Sequence, residues 1–189
     1  MFNHIIDFYL KSHPVTLFVL AVLTLYFFII NWIFFYRYFS LSAWITKESS
    51  SLETLLMGSA NIAKNSYLSY FIKSTSVVSK ELFDLAHFAA TKDATKGLSF
   101  LSIVASTSPF IGLFGTVVSI LDTFSHIGQV SGTMTIIAAG VSDALVATAS
   151  GIFVAIFAYT YHQILKRQAF ELSGLLKMQS DSILSKKAY

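Results

Sequence analysis

Three long apolar stretches, each free or nearly free of Asp, Glu, Lys and Arg, predict an all-α integral membrane protein with three transmembrane helices. Composition agrees: 54% of the 189 residues are hydrophobic and 12% are charged, against about 25% charged in soluble domains. Sidedness agrees as well. Between the stretches, the basic residues crowd the segments that must share one side of the membrane, as the positive-inside rule requires.

Residues 1–12 hold Phe2, Ile5, Ile6, Phe8, Tyr9 and Leu10 among His4, Asp7 and Lys11, a short amphipathic segment suited to the membrane surface. Pro14 suits the first turn of a helix, and 13–36 is the first span. Trp32, Tyr36 and Tyr38 crowd its end like an aromatic belt. A signal peptide fits poorly, because the apolar run is too long and no basic segment precedes it. Residues 37–98 mix Lys and Arg with Asp and Glu, and their apolar residues recur at helical spacing. Two amphipathic helices are expected here, at 50–64 and 66–94, with their charges on a solvated face.

Residues 99–124 form the second span, 125–133 a link with no Lys or Arg, and 134–165 the third span. Residues 166–189 are an amphipathic C-terminal helix. Lys11 stands alone on one side, whereas Arg37 to Lys96 and Lys166 to Lys187 lie on the other. The N-terminus and the 125–133 link are therefore expected outside, and the 37–98 region and the tail in the cytoplasm.

The second span carries a stripe of small or polar residues. Ala105, Pro109, Gly112, Thr116, Ser119 and Thr123 recur at steps of four and three, which places them on one helical face. In the third span, Ala144, Thr148, Gly151, Ala155 and Ala158 repeat the pattern. Small faces let helices approach closely, and their hydroxyls either bond across the contact, line a polar path, or bond back to their own carbonyls. Pro109, Gly112, Ser119, Ala144, Gly151 and Ala155 are read as packing positions, and Thr116 and Thr148 as the polar ones.

Asp143 is the charged residue inside a span. An ionised carboxylate there costs roughly 2.5–3.5 kcal/mol, so it neutralises, pairs or faces water. It is read either as a group at the mouth of an ion path or as a structural hydrogen-bonding group near Ser142 or Ser150. Asp143 and Thr148 are about 140° apart around the helix and point different ways.

Other chemistry finds little support. Without Cys there is neither a disulfide nor a thiolate site. The five His have no metal-ligand spacing, and no nucleophile with a base, phosphate loop or cofactor fingerprint is present. The basic residues follow topology and form no nucleic-acid patch. The chain reads as no enzyme, with no metal and no cofactor.

Two motifs carry a resemblance. SPFIGLFGTV (Ser108–Val117) and GVSDALVATASGIFVAI (Gly140–Ile156) resemble the two characteristic spans of the TolQ/ExbB/MotA proton-channel family, the first nearest the TolQ branch. The resemblance is strong over 105–163, and the three-span layout extends it to the rest. It implies a homopentamer around a central pore in a bacterial inner membrane, with a periplasmic N-terminus and a cytoplasmic C-terminus. Two copies of a single-span TolR/ExbD-like partner would sit in the pore and supply the titrating Asp, and a TolA/TonB-like transducer would receive the work. The family's pore threonines fall on Thr116 and Thr148, and its third-span Glu falls on Asp143. The chain departs from the pattern at Val118-Ser119, where the family has Trp-Gly, and at Phe157, where it has a helix-kinking Pro. Tol–Pal-type envelope integrity and division is the expected use, with ExbB-like energising of outer-membrane import as alternative. A non-conducting membrane scaffold is the alternative of another class.

Overall fold

A computed structural model describes residues 14–57, 66–74, 79–127 and 134–187. The regular elements among them are five helices: α1 (Pro14–Leu56), α2 (Tyr67–Ser74), α3 (Lys80–Ala94), α4 (Leu98–Ile127) and α5 (Met134–Lys187). No strand occurs among the described residues. α1, α4 and α5 each contain a window long and apolar enough to cross a membrane.

α1 begins on Pro14, whose missing N–H falls where a helix has no internal acceptor for it. No Gly or Pro follows until residue 58, so the backbone has no reason to stop where the composition turns polar after Tyr36. α5 likewise runs on through residue 165, where Lys166 and Arg167 close the apolar stretch. The 36/37 and 165/166 boundaries expected from hydropathy thus fall inside helices. Of the expected helix at 50–64, residues 50–56 belong to α1, and 58–65 lie outside the described residues. The expected helix at 66–94 is two, α2 and α3. Ser79 sits in an extended conformation, and its hydroxyl accepts from the Leu82 N–H as the N-cap of α3. The surface segment at 1–12 and most of the 125–133 link also lie outside the described residues.

The chain divides into two compact units: Met1–Trp32 with Phe100–Tyr161, and Ile33–Ser99 with His162–Tyr189.

In the first unit the buried positions include Val19, Leu23 and Ile30 of α1, Leu101, Val104 and Ser108 of α4, and Ala144, Ala147, Val154 and Ala158 of α5. Large apolar side chains such as Phe18, Phe28, Phe110, Phe114 and Phe153 remain exposed, as on a surface meant for lipid or for other helices. Phe157 stands where the resemblance has a Pro, and it closes an aromatic group. Its ring lies 5.6 Å from Phe27, 4.8 Å from Phe153 and 6.0 Å from Tyr161.

In the second unit, Leu41, Leu52 and Leu55 of α1, Leu68 of α2, and Phe83, Ala86 and Ala90 of α3 are buried. Leu165, Ala169, Leu172 and Leu176 of α5 are buried in the same unit. Arg37 closes the end of α3, its Nη2 donating to the carbonyls of Asp93 at 2.6 Å and Ala94 at 2.8 Å. Gly97 then turns the chain into α4 at φ +86°, the left-handed region that glycine adopts without strain.

Glu48, just before the stretch expected to carry a solvated charged face at 50–64, is fully buried. Its Oε1 accepts from the Tyr67 N–H at 2.8 Å, and its Oε2 from Ser66 Oγ at 2.8 Å and Gln179 Nε2 at 3.1 Å. Gln179 Nε2 also donates to the Glu48 carbonyl at 2.8 Å. The carboxylate sits at the N-terminus of α2, where unpaired N–H groups and the helix dipole favour an anion.

Candidate functional site

The seam between α4 and α5 is built by missing side chains. A Cβ on Gly112 would lie 2.8 Å from the Ala147 carbonyl oxygen and 3.1 Å from the Gly151 Cα. One on Gly151 would lie 2.5 Å from the Ser108 carbonyl oxygen and 3.0 Å from the Gly112 Cα. At this crossing the two backbones touch, and only glycine fits. Further along, Gly115 lies against Ala147 and Val19, and Gly140 against Thr123. α4 tolerates Pro109 within this stretch, as membrane helices do when neighbours satisfy the freed groups.

One turn past the glycine crossing, the hydroxyls of Thr116 and Thr148 hydrogen-bond to each other. Thr116 Oγ1 also donates toward the Ala144 carbonyl at 2.9 Å and the Gly112 carbonyl at 3.3 Å. Thr148 Oγ1 approaches the Gly112 carbonyl at 3.4 Å. A hydroxyl has one proton, so these contacts are alternatives among which it can swing. Ser119 Oγ extends the line by donating to the Gly140 carbonyl at 3.2 Å, and Thr123 Oγ1 bonds back to the Ser119 carbonyl at 2.8 Å. Both Thr116 and Thr148 are half-buried, each touching its counterpart and keeping one side open.

The other singled-out residues separate into two groups. Gly112, Ser119, Ala144 and Gly151 are buried, while Pro109 and Ala155 are half-buried at the margin. Asp143 stands apart. It is half-buried, and none of the hydrogen bonds or ion pairs described involves it, so neither Ser142 nor Ser150 is its partner. Ser150 instead donates to the Val146 carbonyl at 2.8 Å. Gly115, Ala147 and Gly140 also belong to the seam and were missed by sequence reading. Gly115 and Ala147 lie one step off the chosen stripes, and a stripe allowed to widen by one position would have included them.

Between α1 and α5, Tyr161 Oη donates to Asn31 Oδ1 at 2.9 Å. Among the described residues, no group of three His, Cys, Asp or Glu could hold a metal.

Chemically, the hydroxyl pair can donate and accept protons but holds no charge near neutral pH. Among the described residues, its hydrogen-bond partners are the Gly112 and Ala144 carbonyls and no ionisable side chain. A charge that crosses here has to ride on water or on a group brought by another chain.

The MotA/TolQ/ExbB proton channel family model matches residues 60–178. The chain is 39% identical to a "Putative biopolymer transport protein ExbB-like 1" of Helicobacter pylori, over 99% of this chain and 100% of that protein. It is 48% identical to "Biopolymer transport protein ExbB" of Neisseria gonorrhoeae over 38% of this chain and 33% of that one. It is also 48% identical to "Tol-Pal system protein TolQ" of Pseudomonas aeruginosa, over 31% of this chain and 26% of that one. A multi-pass, all-α membrane chain whose small-residue seam encloses a hydroxyl pair, and whose relatives carry these names, belongs to the MotA/TolQ/ExbB proton channel family.

Proposed function

We propose that the chain is the pore-wall subunit of a complex that turns the proton motive force into work at the cell envelope. The observation that carries this reading is the Thr116–Thr148 pair, two half-buried hydroxyls bonded to each other one turn past a glycine crossing in a membrane unit. Five copies would present a ring of hydroxyls able to hold water beside the carboxylate of a TolR/ExbD-like partner, two copies of which would occupy the pore. Each proton that crosses about 100 mV delivers roughly 2.3 kcal/mol, which a TolA/TonB-like transducer would carry outward. The complex would sit in a bacterial inner membrane, with the N-terminus periplasmic and the C-terminus cytoplasmic.

Tol–Pal-type envelope maintenance and division is the reading favoured by Ser108–Val117, the stretch nearest the TolQ pattern. A second reading, energising of ExbB-type import, is favoured by the relative named ExbB-like that matches along its whole length. Restoration of detergent resistance in a strain lacking its Tol subunit, without restored siderophore uptake in one lacking ExbB, separates the two.

Proton flux into liposomes tests the channel. With its single-span partner the wild-type chain should conduct. Thr148→Val and Thr116→Val should each lower flux by about tenfold or more, equivalent to roughly 1.4 kcal/mol on the barrier, while the oligomer survives because volume is nearly kept. Asp143→Asn should lower it only in part. Normal flux from Thr148→Val would remove the pore assignment and leave the scaffold reading. Orientation has its own test. A cysteine at Ser131 should react with an impermeant reagent from outside, and one at Ser74 should not; the reverse would invert the topology.

A further inference from the structure

The second unit holds a cavity that the proton path does not use. It has a volume of ≈ 380 Å³, within the range of roughly 300–1,000 Å³ typical of small-molecule sites. One wall is aromatic. Trp44 and Tyr67 pack with ring centroids 5.2 Å apart and planes inclined at 53°, and Tyr67 in turn lies 5.3 Å from Phe71. Tyr70, also on the lining, is 73% exposed and meets Phe71 edge to face at 5.7 Å.

The rim carries Lys47 and Lys73, from α1 and α2. Both are exposed, and neither ammonium has a hydrogen-bond or ion-pair partner among the hydrogen bonds and ion pairs described. Ser66 and Ser69 add hydroxyls deeper in the cavity. The Glu48 carboxylate beneath is already engaged by Ser66, the Tyr67 N–H and Gln179, and its charge rests on the N-terminus of α2. Two exposed cations beside an aromatic wall, with the acid of the lining, Glu48, already bonded, make a site for a planar ring that carries an anion. Lysine is a point-charge binder of phosphate, and aromatic faces hold bases by stacking.

We propose that this cavity binds a phosphate-bearing planar ligand of the mononucleotide class, with its ring against Trp44 and Tyr67 and its phosphate between Lys47 and Lys73. A phospholipid headgroup offers the same phosphate. Lys47 lies eleven residues past Tyr36 on one helix, about 16 Å at 1.5 Å per residue. The polar headgroup layer is only roughly 5–8 Å deep, so on the three-span reading a soluble ligand is the better fit.

The sequence has two tryptophans, so Trp32→Phe leaves Trp44 as the sole reporter in the full-length protein, assembled with its partner in nanodiscs. ADP should quench Trp44 saturably in neutral-lipid discs. Adenosine and inorganic phosphate, each holding half of the ligand, should bind about tenfold or more weakly, the equivalent of roughly 1.4 kcal/mol. Joint Lys47→Gln and Lys73→Gln substitution should weaken ADP by about tenfold or more, with proton flux and oligomer size unchanged. The absence of saturable quenching by ADP overturns the proposal, as do equal responses to ADP and adenosine or tighter binding of choline. A lysine-dependent shift on adding phosphatidylglycerol, without an ADP response, assigns the phosphate to a lipid headgroup and overturns the nucleotide. Binding of ADP that persists in the lysine variants overturns the site.

Discussion

The buried positions of α5 change character along its length. In the first unit they are Ala144, Ala147, Gly151, Val154 and Ala158; in the second they are Leu165, Ala169, Leu172, Leu176 and Gln179. The rhythm of threes and fours is the same in both sets, so both are helix-packing faces. They differ in what drives the packing. Among lipid tails, burying a leucine gains little, because the tails are as apolar as the partner helix. Close backbone approach and interhelical hydroxyl bonds remain, and both need small side chains. In water, removing leucine from solvent contributes about 25 cal/mol per Å², and the second set has the composition of a core formed that way. Its polar members, Glu48 and Gln179, are buried only because they bond to each other and to α2.

The contrast should fail most sharply at Gly151. Gly151→Leu or Gly112→Leu places a side chain where another backbone already lies. Either should abolish the native oligomer in size-exclusion chromatography. Gly174 has nothing within 4 Å of where its Cβ would be. Gly174→Ala should leave assembly intact and stabilise α5 by up to about 1 kcal/mol. If Gly151→Leu assembled normally, the seam would not be held by backbone contact.

A smaller effect is expected at Glu48. Glu48→Ala leaves the Tyr67 N–H without its acceptor, at roughly 1–3 kcal/mol for the unsatisfied group, while the Gln179 amide keeps the residue-48 backbone carbonyl. Limited proteolysis of 66–94 should accelerate accordingly. Glu48→Gln keeps an acceptor and should be milder. If Glu48→Leu were as stable as wild type, the carboxylate would be a replaceable filler of the second core.

The least effect is expected at Ser79. Ser79→Ala removes the N-cap of α3 and should cost about 1 kcal/mol of local stability by hydrogen exchange. Glu81 adds a pH dependence. Its own N–H, and then the Ser79 hydroxyl, hold its carboxyl below the usual 4.5. A depressed folded pKa contributes stability above the unfolded value, so protection of α3 should decline as pH falls below about 4.5.

Much of the seam was legible in the sequence, because small residues at helical period inside an apolar run have few other uses. Its register was legible only to within one position. The centre of the α4 face runs through Ser108, Gly112, Gly115 and Ser119, so Gly115 and its neighbour Ala147 escaped a stripe drawn through Pro109 and Thr116. That the two threonines bond to each other could not be read, since period gives a face and not a distance. Glu48 was illegible for a different reason. A Lys-Glu pair before three serines looks solvated, and what buries it is a glutamine 131 residues away. The span ends read at residues 36 and 165 fall inside continuous helices, because hydropathy marks where the solvent changes, whereas a helix stops at a residue that breaks it.

That separation of 131 residues between Glu48 and Gln179 also bears on biosynthesis. A chain made from its N-terminus exposes Glu48 and the start of α2 long before Gln179 exists. Until then the carboxylate lacks one of its donors, and the faces of α1, α2 and α3 wait without the leucines of α5. Contacts this distant in sequence form late and leave apolar surface open meanwhile. The second unit therefore closes only once the leucines and Gln179 of α5 have been made, later than the apolar windows of α1 and α4, and a nascent subunit has a built-in delay before that core is complete.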